Sequence, residues 1–285
     1  MTSSTLTLGT ASVTIRSDHA TITGTAMPLV EVPGGSAQEF TLRSTTIDNT
    51  SGSTSVAVIS GTLTLDDVTV KQGFSVDAGA ILDVTGSELD GGGTSAGTTT
   101  IKSSTTRGEI MVTGGIFRYD SNRFEGTAGR AITSSTPNVQ IVDSVFISST
   151  TSGPVISLGK NESIAFSTFI NLQTSTSPAV VCTGNPQPGV LGSIIDGWNN
   201  QIGTCSVSSS LFSGTSAPVG TGNLFGNIAG FFVDLAGQDL RLSATSAALR
   251  AGSGSLPGAD HDITGGARPM PASTNPDVGA YESPN

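Results

Sequence analysis

Charged and aromatic residues are scarce in this sequence of 285 residues, at 12% and 5% of the chain. Sugar-binding grooves usually present flat aromatic side chains, and one Trp and two Tyr are too few to support an extended groove of that kind. His19 and His261 are the only histidines. Without a third histidine or an adjacent Ser and Asp arrangement, the sequence argues against a zinc enzyme and against a serine triad.

Long apolar runs are also missing. No stretch of about 18 apolar residues occurs, so we expect no segment that spans a bilayer. No basic and then apolar signal segment follows Met1, so we expect either a cytosolic protein or the mature part of an exported one. The net charge is −10 and the pI about 4.4. Such an acidic surface repels phosphate backbones and anionic membranes, which makes nucleic acids and lipid surfaces poor partners.

Small and hydroxyl residues dominate instead. The chain contains 37 Gly and many Ser and Thr, and 35% of it is hydrophobic. Apolar residues alternate with Thr in short runs such as Ser12–Ile15 and Ala20–Thr23, whereas no long stretch has the i, i+3, i+4 apolar spacing of a helix. The sequence therefore predicts an all-β fold of short strands joined by tight turns.

One motif occurs twice, 23 residues apart, as Ser144-x-Phe146 and Ser167-x-Phe169. The motif extends to a ladder of anchor positions whose steps lie mostly near 20 to 25 residues, the length of one β-solenoid coil. The anchors are Ile47, Val70, Leu89, Phe124, Phe146, Phe169, Ile195 and Phe212. The long step from Leu89 to Phe124 holds an insertion or an irregular extra coil, and the step to Phe212 is short. This periodicity predicts a parallel β-helix rather than its rival, an antiparallel β-sandwich.

Two further columns accompany the anchors. Two positions before them lie mostly small hydroxyl residues, which we expect to face inward and to pair between coils: Thr45, Val68, Ser87, Asn122, Ser144, Ser167, Ser193 and Ser210. Two positions after them lie mostly Gly or Asn, which we expect to form bends of positive φ: Asn49, Gln72, Gly91, Gly126, Ser148, Asn171, Gly197 and Gly214. A second apolar strand is predicted about a dozen residues before the anchors, at Val58, Val76, Val112, Ile132, Ile156 and Val181.

Cys182 and Cys205 lie 23 residues apart, about one coil. Their side chains would meet in neighbouring coils, so the spacing predicts a disulfide between coils. The alternative is a pair of buried free thiols, because Cys packs well as a small apolar residue.

The repeat pattern ends after Phe212. We predict that residues 1–215 form the coils with an N-terminal cap over the first 40 residues or so, and that residues 216–285 form the last coil or coils and a C-terminal cap on the same solenoid. The segment from Asp260 to Glu282 is rich in Pro, Gly and acidic residues and has too few apolar residues to fold alone, so it should pack along the last coils.

The C-terminal residues carry a resemblance. The order FFVD, GQDLRL, TSAALRAGS, ADHDITGGARP and PDVGAYE resembles the end of bacterial secreted right-handed parallel β-helix proteins of the choice-of-anchor or polymorphic-outer-membrane-like type. The resemblance implies a right-handed helix and export to the cell surface. An anchoring segment commonly follows the GAYE motif in such proteins, so we expect an anchor to be absent here or removed. The family mixes adhesins, structural surface proteins and relatives of polysaccharide lyases and hydrolases, so it implies no single activity.

The densest polar cluster is the candidate site of a glycan-cleaving β-helix, in which acidic residues act as an acid–base pair or bind Ca²⁺ beside a basic residue. It comprises Arg118, Tyr119, Asp120, Asn122, Arg123, Glu125 and Arg130. Arg118, Asp120 and, from the next coil, Asp143 are expected on one face, with Arg123 as a further catalytic candidate. The alternative is a solvated ion-pair network, which contributes little to stability.

Weaker candidates lie elsewhere. Asp66 and Asp67, stacked with Asp90 or Glu88, would bind Ca²⁺, or they are surface acids that keep the sheet edge soluble. The triplet Asp260–Asp262 has alternating oxygen and nitrogen ligands, although we expect a structural role in the cap. Tyr119 and Trp198 are candidate ligand-binding aromatics, Trp198 being either exposed or a plug over a neighbouring turn.

These observations predict an exported or cell-surface β-solenoid with a structural or adhesive role, binding a surface polysaccharide or a protein. A polysaccharide lyase or glycoside hydrolase of the pectate-lyase-like type, with a groove near Arg118–Arg130, is the alternative. A third possibility is a Ca²⁺-stabilised module that self-associates, since open coil ends and flat faces favour assembly.

Overall fold

The computed structural model describes residues 5–8, 13–35, 38–126, 129–136, 138–198, 202–213, 218–226, 230–253, 260–269, 272 and 274–284. Across these ranges the regular structure is β-strand, with no α-helix. None of the described segments is a helix long and apolar enough to cross a membrane. Consecutive coils stack their strands in parallel, which confirms the predicted all-β solenoid, with about eight turns. Its right-handedness stays a prediction.

One wall of the solenoid is a nine-stranded parallel sheet, called sheet A here, to which each coil adds one short strand. In spatial order its strands are β1 (Leu6–Thr7), β3 (Val30–Val32), β5 (Val56–Val58), β7 (Phe74–Val76), β10 (Gly93–Ser95), β13 (Ile110–Val112), β16 (Ile132–Ser134), β19 (Ile156–Leu158) and β22 (Val180–Cys182). The predicted second apolar strand lies here. At its end the inward residue is Val180, which pairs with Ile156, and not Val181.

The other two walls belong to an 18-stranded sheet, called sheet B. Three long strands follow both walls: β2 (Val13–Gly24), β4 (Glu39–Asn49) and β6 (Thr62–Val70). Later coils break at the corner into a leading row and a trailing row. The leading row contains β8 (Ile81–Thr85), β11 (Thr98–Lys102), β14 (Phe117–Asp120), β17 (Val139–Val142), β20 (Ser163–Ala165), β23 (Gly189–Leu191) and β25 (Ser206–Ser208). The trailing row contains β9 (Glu88–Leu89), β12 (Thr105–Thr106), β15 (Arg123–Gly126), β18 (Val145–Ser148), β21 (Thr168–Ser175), β24 (Ile194–Trp198), β26 (Leu211–Ser213) and β27 (Leu224–Gly226).

The anchor ladder runs through the trailing wall. All eight predicted residues are buried and pair in register from coil to coil. The long step after Leu89 holds an extra coil, because Thr106 pairs with Leu89 on one side and with Phe124 on the other. Its hydroxyl lies 2.7 Å from the Tyr119 hydroxyl inside the core, which satisfies both groups. The sequence pattern did not identify this coil, because the pattern requires an apolar anchor and the anchor here is the polar residue Thr106.

A buried ladder of hydrogen bonds runs beside the anchors, in the column two positions before them. From Val68 to Ser210, each backbone N–H donates to the side-chain oxygen of the equivalent residue in the next coil, at 2.8–3.4 Å. Each serine hydroxyl on this ladder donates in turn to the carbonyl two residues earlier in its own coil. The predicted pairing of hydroxyl residues between coils thus takes a definite form. Ser104 of the extra coil belongs to the same ladder.

The bends of the chain differ from the prediction. Positive φ occurs at the corner between the rows, three residues before the anchors, as at Ser44, Asp67, Ser121, Asp143 and Phe166. In the column after the anchors Gly197 has a positive φ, whereas Asn49 and Asn171 do not. Those two Asn side chains instead donate to carbonyls of the turns, at 2.7 and 2.9 Å. Gly214 lies outside the described residues.

The C-terminal segment, residues 230–284 as far as they are described, packs on the outside of the trailing row. Its antiparallel pair is β28 (Phe232–Asp234) and β29 (Asp239–Leu242). Phe232, Leu240, Leu242, Ala248, Val278 and Ala280 form a second core with outward-facing Val145, Ile147, Ile170, Ile194 and Leu211. The segment therefore covers the side of the later coils. The predicted N-terminal cap and the domain boundary at residue 215 stay predictions.

Cys182 and Cys205 are bonded, with 5.0 Å between their Cα atoms. This confirms the predicted disulfide, and the bond joins two consecutive coils near the C-terminal end of sheet A.

Candidate functional site at the C-terminal junction

Two of the predicted catalytic residues come together at the corner of the solenoid. Asp120 ends β14, and Asp143 occupies the corner position that follows β17, one coil later. Arg118 lies on the exposed face of β14, paired with Gln140. Arg123 lies on the trailing row, where its guanidinium pairs with Glu125 at 2.6 Å and donates to Gln238 of the C-terminal segment at 3.0 Å. The predicted cluster is thus divided between two walls.

Arg268 of the C-terminal segment completes the junction, and its side chain is buried. Its guanidinium lies 4.5 Å above the ring of Phe166, the corner residue after Asp143. It donates to the carbonyls of His261, Asp277 and Gly279 and to the carboxylate of Glu282, at 2.9–3.4 Å. One arginine therefore ties together most of the loop that follows His261.

The carboxylate of Asp143 is fully buried. Its Oδ1 lies 3.2 Å from Nη2 of Arg268, an ion pair without hydrogen-bond geometry, and neither of its oxygens has a hydrogen-bond partner. Burial raises the pKa of Asp143 to about 7, although the positive charges of Arg268 and His261 oppose the shift. An acid in this position is costly to ionise unless a cation lies close by.

His261 reaches back from the C-terminal segment to the same corner. Its Nδ1 lies 2.6 Å from Oδ1 of Asp260, and its Nε2 lies 3.2 Å from Oδ1 of Asp120. Burial disfavours the charged ring, but the two carboxylates outweigh it and raise the pKa of His261. Asp120 also accepts a hydrogen bond from Ser121 at 2.8 Å and lies 3.7 Å from Nζ of Lys102.

Asp262 plays the structural part expected for the acidic triplet. Its Oδ1 accepts the backbone N–H groups of Thr264 and Gly266 at 2.9 and 2.8 Å, and its Oδ2 accepts the N–H of Glu282 at 3.1 Å. The carboxylate thus closes a tight turn and joins the turn to the end of the segment.

The residues predicted for Ca²⁺ have other partners. Asp66 pairs with Arg43 at 3.1 Å, and Asp67, a corner residue, accepts the Ser44 hydroxyl at 2.8 Å. Asp90 pairs with Lys71 at 3.0 Å and with Arg107 at 2.5 Å. Burial tends to raise the pKa of Asp90, but these two basic partners outweigh it and lower the pKa. Such contacts favour the alternative prediction, that these are surface acids.

Both candidate ligand-binding aromatics are buried. Tyr119 points into the core, where its ring stacks on Phe117 and Phe146 at 6.3 and 5.6 Å between centroids. Desolvation raises the pKa of Tyr119 strongly. Trp198 is also buried, at 2% exposure, so it matches the plug and not the exposed face. Neither ring can offer a flat surface to a sugar.

Sequence reasoning missed His261 and Arg268 as partners of Asp120 and Asp143. A signal was present in the strands beneath the segment, because Val145-Phe146-Ile147 is apolar at consecutive positions. A strand that reads this way is covered on both faces, so something had to pack outside it.

No family model matches this chain, and no curated protein matches it either. The β-solenoid is therefore established by the structure alone. The likeness of the C-terminal residues to bacterial secreted proteins stays a resemblance.

Proposed function

We propose that this chain is a stiff, exported β-solenoid with a structural or adhesive role, which binds an extended polymer or a protein along its side. The observation that carries the proposal is a pair of threonine rows on the outer face of sheet B, here called the hydroxyl rows. On the leading wall the row contains Thr14, Thr41, Thr64 and Thr100, and on the trailing wall Thr21, Thr46, Thr69 and Thr105.

The geometry of the hydroxyl rows suits a repeating ligand. Parallel strands repeat about every 4.8 Å, so each row offers a donor and an acceptor at a regular interval. One acidic side chain interrupts each row in the same coil, Asp83 on the leading wall and Glu88 on the trailing wall. The C-terminal segment packs farther along the solenoid, against Asp120, Arg123 and later residues, and leaves the threonines of these rows partly exposed. Hydroxyl rows that each contain one carboxylate can bind polysaccharide hydroxyls or a protein backbone.

The disulfide supports export. The Cys182–Cys205 bond joins two consecutive coils, and disulfides persist in oxidising compartments rather than in the reducing cytosol. The bacterial cell surface as the location rests on the resemblance of the C-terminal residues.

A binding experiment with matched variants tests the proposal. The purified chain is screened against insoluble and immobilised polysaccharides and a surface-protein panel, and the tightest ligand is then titrated. Thr64→Lys combined with Thr69→Lys should weaken binding at least about tenfold, the effect of losing roughly 1.4 kcal/mol. Thr94→Lys is the control, because Thr94 is an exposed threonine on the outer face of sheet A, and it should bind as the parent does. Equal loss in both variants, or no ligand in the whole panel, would refute the role assigned to the hydroxyl rows.

Polysaccharide cleavage is the alternative, and one recess near the predicted groove supports it. A cleft of about 350 Å³ is lined by Arg107, Glu125, Ile147, Leu172 and Gln238, close to the predicted groove. However, Asp143 is buried beneath Arg268 and cannot touch a polymer in this arrangement. Incubation with uronic-acid polymers, with and without Ca²⁺, would reveal unsaturated products of a lyase by their absorbance. Cleavage that disappears in the Asp120→Ala, Arg123→Ala double variant would favour the enzyme over the scaffold.

A further inference from the structure

Three side chains with metal-ligand chemistry converge at the junction between the solenoid and the C-terminal segment. One carboxylate oxygen each from Asp120 and Asp143 and one ring nitrogen of His261 lie within 4.8 Å of one another. Of the residues that the structure describes, these form the one such group of three. They come from two consecutive coils and from a segment more than a hundred residues away in sequence.

The state of Asp143 points to a missing ligand. The carboxylate is fully buried, and no N–H or O–H group donates to either of its oxygens. Arg268 is its nearest cation, but four of the five guanidinium N–H groups are already committed to three carbonyls and to Glu282. Buried carboxylates ordinarily accept hydrogen bonds or coordinate metals. Although Arg268 lies 3.2 Å away, it donates no hydrogen bond to Asp143, so the lone pairs of this carboxylate remain largely unused.

The surroundings of His261 favour coordination as well. Asp260 lies 2.6 Å from Nδ1 and Asp120 lies 3.2 Å from Nε2, so a ring that donates its Nδ1 proton to Asp260 would offer the Nε2 lone pair to a metal ion beside Asp120. A carboxylate that holds the far nitrogen of a metal-bound histidine is a recurrent arrangement, which orients the ring and raises its basicity.

We propose that Asp120, Asp143 and Nε2 of His261 bind one divalent transition-metal ion, Zn²⁺ in the first instance, which fastens the C-terminal segment to the solenoid. Two carboxylates and an imidazole suit Zn²⁺, which takes oxygen and nitrogen ligands at about 2.0–2.2 Å and is commonly four-coordinate. Ca²⁺ prefers six to eight oxygen ligands, and an imidazole is a poor substitute. Three protein ligands leave a fourth position for water.

The test is a titration of metal ions into the full chain. The chain is stripped with a chelator, dialysed, and titrated with Zn²⁺ alone by calorimetry, with Ca²⁺ in a parallel arm. We expect one Zn²⁺ per chain and no comparable binding of Ca²⁺. Co²⁺ should substitute and show visible d–d absorption, which reports the ligands directly. Because the ion joins two parts of the chain, Zn²⁺ should also slow proteolysis within residues 230–284 and raise Tm.

Variants place the ion at this junction. His261→Gln should abolish the stoichiometric binding, whereas His19→Gln, at the only other histidine of the chain, should leave it unchanged. Asp260→Asn should weaken binding by about 10- to 100-fold, as removal of an outer carboxylate does. Asp260 is 93% exposed, so this variant should fold normally, and circular dichroism of all variants checks that they do.

Three outcomes would overturn the proposal. The first is no Zn²⁺ binding at millimolar concentration by the folded parent chain. The second is unchanged binding in His261→Gln, and the third is equal loss in His19→Gln.

Discussion

Replacing Phe169 with alanine tests the anchor ladder where it is most tightly packed. Phe169 is fully buried, and its ring lies nearly parallel to that of Phe146, 4.7 Å away and inclined by 5°. On its other side the register continues to Ile195. The ring is thus held between the anchors of two neighbouring coils, and the strands of these coils are fixed by backbone hydrogen bonds, so the gap left by alanine cannot close easily.

The magnitude follows from burial and cavity formation. Truncation of a buried Phe to Ala costs about 3–5 kcal/mol, and a lost aromatic pair accounts for roughly 0.5–1.5 kcal/mol of such an effect. We expect the upper half of that range at Phe169, because parallel strands on either side resist collapse.

The measurement is equilibrium unfolding in urea, followed by far-UV circular dichroism and by the fluorescence of Trp198. Coincidence of the two curves checks that the loss is global, since solenoids can unfold in parts. The matched control is Phe225→Ala, because Phe225 stands at the anchor position of the last described coil, in register with Phe212, yet is 57% exposed. It should cost less than about 1 kcal/mol, the usual range for exposed sites. Equal effects at Phe169 and Phe225 would refute the ladder as the source of stability.

Three further perturbations have defined outcomes. Glu162 is buried, and desolvation raises its pKa to about 7, so the folded chain keeps a proton on Glu162 that the unfolded chain releases. The free energy of unfolding should therefore fall by about 3 kcal/mol as pH rises from about 4.5 to 7. Urea titrations at several pH values measure this slope, and Glu162→Gln should remove most of it. Gly279 has φ 96° and its Cβ would lie 2.8 Å from Thr168 Oγ1, so Gly279→Ala should speed proteolysis of the C-terminal segment. Gly265→Ala, with a similar φ of 84° but open space around it, carries the backbone strain alone and should speed proteolysis less. Cys182→Ser should lower stability by about 3 kcal/mol, as expected for a loop of this length, and equal melting of parent and variant without reductant would contradict a stabilising role for the disulfide.

The solenoid could be predicted because its core repeats. Phe146 and Phe169 face inward in successive coils. Equivalent buried positions require similar residue types, so these types recur in the sequence once per coil. The prediction did not identify the coil whose anchor position is polar. That anchor is Thr106, whose hydroxyl is hydrogen-bonded to the hydroxyl of Tyr119 in the core. A pattern built on apolar anchors has no means of recognising a polar pair that is buried together.

The bends were assigned to the wrong column for a related reason. Gly and Asn are typical of positive φ, and both follow the anchors, so the corner was expected there. The structure places positive φ at Ser121, Asp143 and even Phe166, three residues before the anchors. These residues are held in that conformation by the strands on either side and by the buried hydrogen-bond ladder, and tertiary context of this kind leaves little trace in residue type.

The candidate site could be predicted only in part, because half of it arrives from a distant segment. Asp120 and Asp143 follow from the coil period, whereas Arg268 reaches Asp143 through a turn whose geometry depends on Asp262. No periodicity relates these residues. Their meeting is determined by where the C-terminal segment docks, and that depends on the apolar outer face of β18, β21 and β24.

The two parts of that docking surface do different work. The apolar face formed by Val145, Ile147 and Ile170 favours burial of the segment but is non-directional, so it would tolerate a shift along the solenoid. The buried pair of Asp143 and Arg268 does not tolerate such a shift, because it would separate the two side chains and leave a buried charge without a partner. Buried ion pairs contribute little net stability, since desolvation offsets their attraction, while an unpaired buried charge is strongly unfavourable. The charged corner therefore sets the position of the segment and the apolar face holds it there, which is why the one group of potential metal ligands in the described chain forms where the two surfaces meet.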